Sequence, residues 1–155
     1  MFNRLNALAL ACVLTAASAA APALAQDASQ TANFGEVSLS AGFTPDPHSV
    51  RMVAGGGIDA SRLGNGCVGK ISNAPDYQVT YTAGSLPLVF RTRSGEDTTL
   101  VINAPNGAWR CDDDSYGDGD AEVRFNNPQS GVYDVWVGTY GSEPASATLL
   151  ITETP

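Results

Sequence analysis

From residue 36 onward, three stretches of the chain alternate polar and apolar side chains with a period of two. They are residues 36–41 (EVSLSA), 77–82 (YQVTYT) and 121–125 (AEVRF). Such spacing puts every second side chain on one face of an extended strand, and a strand with one wet face must read this way. Residues 86–90, 100–102, 132–137 and 148–151 are richer in Val, Leu, Ile and aromatics and are expected nearer a core, with residues 48–53 a further strand candidate. Turn signals stand between them: Pro45-Asp46-Pro47, Gly55-Gly56-Gly57, Ala83-Gly84-Ser85, Ser94-Gly95, Pro105-Asn106-Gly107, Ser130-Gly131 and Gly141-Ser142. No amphipathic helix of three turns is evident. The pattern predicts an all-β fold, an antiparallel β-sandwich of jelly-roll or immunoglobulin-like kind with about eight or nine strands.

The first 25 residues follow a different logic. Arg4 supplies a short positive region, an alanine- and leucine-rich run follows, and Ala23-Leu24-Ala25 forms a small-x-small cleavage site before Gln26. This predicts a removed signal peptide over residues 1–25 and a periplasmic or extracellular protein, with no membrane insertion after cleavage. A retained anchor is disfavoured by the short run and by Pro22, and lipidation at Cys12 by an imperfect lipobox. Residues 26–33, polar and without period, are expected as a flexible leader to a single domain over residues 34–155.

Charge and cysteines bound the partners. The whole chain carries a net charge of −8, and removing Arg4 with the leader makes the balance more acidic still. Nucleic acid and anionic membrane surfaces, which need a basic patch, are disfavoured. Once Cys12 leaves, Cys67 and Cys111 form an even pair in an oxidising compartment, where a disulfide is the default. No Cys-x-x-Cys or neighbouring histidine favours a metal or redox site instead.

Between Arg110 and Glu122 the chain packs six carboxylates and two glycines into one stretch. Like charges this dense ask for a cation, and hard oxygen ligands on a glycine-bearing loop suit Ca²⁺. Asp112, Asp113, Asp114, Asp118 and Asp120 are the candidate ligands. Asp97 joins them if the Pro105-Asn106-Gly107 turn folds Trp109 and Cys111 back along the preceding strand. The spacing is not that of an EF-hand, because Tyr116 and Val123 stand where ligands are needed and no helices flank the loop. Asp118, Asp120 and Glu122 have period two and would share a face on an extended strand. A merely solvated acidic turn is the competing reading.

The run from Asp97 through Asn103, then Pro105-Asn106-Gly107, Trp109, Cys111 and Asp112-Asp113, then Pro128 and residues 130–140 (SGVYDVWVGTY) resembles the bacterial pre-peptidase C-terminal domain. The resemblance covers roughly residues 77–153. It implies a small calcium-associated β-sandwich, a type often appended to secreted proteases. Here no peptidase precedes the module, and with Gly42 to Pro47 in front the chain is similar to stand-alone exported homologues of uncharacterised role.

Catalysis has little to build on. His48 is the sole histidine, so a Ser-His-Asp or His-zinc mechanism would have to run through it, and no Gly-x-Ser-x-Gly elbow is present. Binding is the more natural class, with Trp109, Trp136 and Tyr140 as candidate ligand contacts. The parity of residues 132–137 places Tyr133, Val135 and Val137 on the buried face and turns Trp136 outward or to a sandwich edge. The reading is a non-catalytic, calcium-binding accessory module for a surface or extracellular protein or polysaccharide. A carbohydrate-binding module is the alternative, and a small hydrolase a distant third.

Overall fold

The computed structural model describes residues 26–64 and 66–154, so the expected signal peptide and Cys12 lie outside the described residues. Regular structure comprises eleven strands and one short 3-10 helix, Ala60–Leu63. The strands are β1 (Glu36–Ser40), β2 (His48–Ala54), β3 (Ile58–Asp59), β4 (Lys70–Ile71), β5 (Tyr77–Thr82), β6 (Leu88–Ser94), β7 (Thr98–Asn103), β8 (Trp109–Asp112), β9 (Glu122–Phe125), β10 (Gly131–Thr139) and β11 (Ala145–Thr152).

They form two sheets. The smaller is ordered β2-β11-β6-β9 and is antiparallel throughout. In the larger, β10 is central: β5 pairs along Gly131 to Val135, β7 along Asp134 to Thr139, and β4 meets it at Thr139. β8 extends this sheet beyond β7, and β1 adds to β5 in parallel, the one departure from the antiparallel expectation among the described pairings. The inner faces meet in a core containing Val79, Tyr81, Leu100, Ile102, Val135 and Val137 from the larger sheet and Leu88, Phe90, Leu149 and Ile151 from the smaller. Two sheets meeting over one shared core make a β-sandwich.

A second, smaller core lies on the other face of the larger sheet, where Ile58, Ala60, Cys67 and Ile71 cover Val101 and Trp136. The covering segment, from β3 through the 3-10 helix to β4, is fastened by the Cys67–Cys111 disulfide to β8. β10 is therefore sandwiched on both sides, and Tyr133 through Thr139 are all buried. The path of that segment depends on Gly56, where an added Cβ would lie 2.2 Å from the Ile71 carbonyl carbon and oxygen. Only a residue without a side chain passes so close to another backbone.

Residues 26–33 are more firmly placed than a free leader. The Asp27 and Asn33 amides donate to the carbonyls of Asn73 and Pro75, and Ala28 packs against the second core. Among the described residues no helix is long and apolar enough to cross a membrane.

Candidate binding site at the acidic end

The acidic stretch is an ordered loop between β8 and β9, and its carboxylates go to separate tasks. Asp112 accepts the Ser115 amide at 2.9 Å and the Glu122 amide at 2.8 Å, and the Ser115 hydroxyl as well, so it ties the loop's two ends together. Asp118 and Gly119 both have positive φ, 56° and 76°. They make the tight turn of a miniature hairpin in which Gly117 and Asp120 pair, as Asp-Gly does in a type I′ turn. Asp120 is 8% exposed and turns inward, accepting the Ser94 amide at 3.0 Å. Burial pushes its carboxyl above the usual range, against the pull of that amide and the Thr98 hydroxyl. Glu122 is ion-paired with Arg91.

The expectation that Asp118, Asp120 and Glu122 share one strand face is thus corrected. The turn at Asp118-Gly119 breaks the extended run, so the first is exposed, the second buried and the third paired across to β6. Among the described residues no three His, Cys, Asp or Glu side chains gather as a metal-holding group. Asp112 engages both of its oxygens with Ser115 and Glu122, whereas Asp120 accepts through Oδ1.

Asp97 does come to this end. The β7–β8 pairing sets Leu100 opposite Asp112 and Val101 opposite Cys111, the reversal expected of the Pro105-Asn106-Gly107 turn. Its carboxyl is pushed up by desolvation and then by the charges of Asp114 and Asp113. The Gly119 carbonyl accepts the Thr98 amide at 2.8 Å, and the Tyr140 amide donates to the Asp97 carbonyl at 3.1 Å. The β6–β7 turn, the β10–β11 turn and the acidic loop are thereby locked into one rim.

A cleft of about 410 Å³ opens in that rim, lined by Glu96, Asp97, Thr139, Gly141, Ser142, Glu143 and Pro144. Tyr140 stands beside it, 60% exposed. Glu96 and Glu143 were not singled out from sequence. Each directly follows a predicted turn, Ser94-Gly95 and Gly141-Ser142, but that the two turns are neighbours is a property of topology, which local pattern does not carry.

The three aromatic candidates part company. Trp136 is on the outward face of β10 as its parity indicates, yet it is fully buried, so its role as a ligand contact is corrected: the segment pinned by Cys67 covers it. Trp109 is half-buried with its ring 5.4 Å from that of Trp136. Tyr140 alone presents a free ring. His48 sits at the start of β2 with Nε2 3.1 Å from the Tyr77 hydroxyl, and burial lowers its pKa.

No family model matches the chain, and no curated protein matches it. Among solved structures it is similar to PliG of Aeromonas hydrophila, described as a periplasmic lysozyme inhibitor of g-type lysozyme. The identity is 15%, the likeness covers 76% of this chain and 96% of that one, and the TM-score is 0.38. Nothing about this chain's ligand follows from a likeness of that size.

Proposed function

We propose that the chain is an exported, non-catalytic β-sandwich that binds a basic protein surface through its acidic end, as an accessory to a surface or extracellular component. The observation that carries this is the convergence of Glu96, Asp97 and Glu143 on one cleft beside the exposed Tyr140. Carboxylates converging on one cleft attract a guanidinium or ammonium group more strongly than scattered surface charges do. A tyrosine adds a rigid amphipathic contact at small entropic cost. Export rests on the leader read from residues 1–25. The accessory role agrees with the resemblance of residues 77–153 to pre-peptidase C-terminal domains.

The carbohydrate-module reading asked for an exposed planar pair of aromatics on one sheet face, and Trp136 and Trp109 are turned to packing instead. The hydrolase reading asked for His48 beside a serine or for two carboxylates in a shared cleft; the His48 ring nitrogen engages Tyr77, and the carboxylates that do share a cleft, Glu96, Asp97 and Glu143, are the ones the binding reading uses. Calcium is the second occupant the charge of this end would accept.

Calorimetric titration with a lysine- and arginine-rich peptide, with and without millimolar Ca²⁺, tests the proposal. Binding that is weakened by salt and lost in a Tyr140→Ala, Glu143→Gln variant supports it. Absence of binding, or binding indifferent to those changes, rejects it. A calcium-dependent rise in melting temperature with no peptide binding would favour the metal occupant.

A further inference from the structure

On a chain of net charge −8, four of the eight Lys and Arg residues fall on the outer face of the smaller sheet: Arg51, Arg91, Arg93 and Arg124. Strand register makes the arrangement orderly. Thr148 of β11 is opposite Arg51 of β2 on one side and Arg93 of β6 on the other, so the three form a row across the face. Inner residues of the same strands, Met52, Thr92 and Leu149, point into the core. The two arginines are two strand spacings apart, about 10 Å from backbone to backbone across the sheet. Both are exposed, and among the described residues neither is in a salt bridge. Arg91, by contrast, is held by Glu122 and lies 4.7 Å over the Tyr116 ring. Next to the row, a groove of about 270 Å³ is lined by Arg93, Tyr116, Leu150, Thr152 and Asp46, among others.

We infer that this face binds an acidic polysaccharide, one carrying carboxylates at intervals along a hydroxylated chain. Charge complementarity gives the sign of the partner: two guanidinium groups outside any salt bridge among the described residues, Arg93 also acting at longer range on Asp120, present fork donors to carboxylates. The character of the face gives the class. A protein interface of useful strength needs an extended apolar centre, whereas here Ser49, Ser146 and Thr148 flank the arginines and offer hydroxyls to a hydroxylated ligand, with the exposed Val53 beside them. The site is separate from the acidic end and does not depend on the function proposed for it.

Affinity electrophoresis of the purified protein in gels containing polygalacturonate, with dextran as the neutral control and 0.1 M salt to screen distant acidic residues, is the test. Retardation by polygalacturonate alone is expected, and an Arg51→Gln, Arg93→Gln variant is expected to bind about tenfold more weakly or worse, having lost two charge-assisted contacts. Unchanged thermal unfolding of that variant shows the loss to be local, and Tyr140→Ala should leave retardation intact. No retardation, equal retardation by dextran, or undiminished binding by the arginine variant overturns the inference. So does self-association of the protein that the variant abolishes, which would make a second copy's acidic loop the occupant.

Discussion

Asp76 is the residue on which most converges and which composition least reveals. β5 begins at Tyr77, which pairs with Val135, leaving the next stretch of β10 without β5 beside it. The Asp76 carboxylate fills the gap: it accepts the Val137 amide at 2.8 Å, the Asn33 side chain at 3.1 Å and the Ser72 hydroxyl at 3.0 Å. It is 1% exposed, and burial pushes its pKa up to about 6 in spite of those donors. The folded pKa lies above the unfolded value, so the native state holds the extra proton between them. Stability is therefore greatest below pH 4 as far as this group is concerned and falls as pH rises through about 6, by roughly 3 kcal/mol at most. Asp97, Asp120 and Asp134 are also raised and add in the same direction. Urea unfolding from pH 4 to 7 should show a shallower fall for Asp76→Asn than for the native chain, and parallel curves would contradict the assignment. Trp136 is the second instructive residue, because its outward parity was readable and its burial was not. With Trp109→Phe leaving Trp136 as the sole tryptophan, its emission should be blue-shifted and resist acrylamide; ready quenching would show the ring to be exposed.

Among elements, strands with a wet face declared themselves. β1, β5 and β9 follow the alternation of residues 36–41, 77–82 and 121–125 closely, and the more apolar runs became β6, β7, β10 and β11. β3 and β4 did not, since a two-residue strand is too short to show a period and its partners are set by the tertiary fold. The segment that carries them also hides Trp136, so one illegible element accounts for the misread tryptophan. Two predictions belong here. Replacing both Cys67 and Cys111 by Ser should cost roughly 2–4 kcal/mol, the usual range for a loop of this kind, and should make Trp136 quenchable before the sandwich itself unfolds. Gly56→Ala should destabilise by about 1–3 kcal/mol or more through overlap with the Ile71 backbone. Gly57→Ala, where an added Cβ meets nothing within 4 Å, should be nearly neutral. Equal melting temperatures for the two glycine variants would show the covering segment to run elsewhere.

At the scale of the molecule the sandwich sorts its charge. Acidic groups gather at the end where three turns meet, and arginines spread over the outer face of the smaller sheet. The density of carboxylates between Asp112 and Glu122 was legible, and so was its attachment to a disulfide-stapled body. Its internal use was not, because which carboxylate caps an amide depends on the turn at Asp118-Gly119 and on the docking of Gly119 against Thr98. The sequence pattern asked what cation would gather the aspartates, whereas the fold has already satisfied two of them with backbone amides and leaves Glu96, Asp97 and Glu143 facing solvent. Amide chemical-shift mapping of the labelled protein during titration with a basic peptide therefore addresses the central claim directly. Shifts confined to Glu96, Asp97 and the Tyr140 to Glu143 turn are predicted; shifts elsewhere with none at this rim would contradict it.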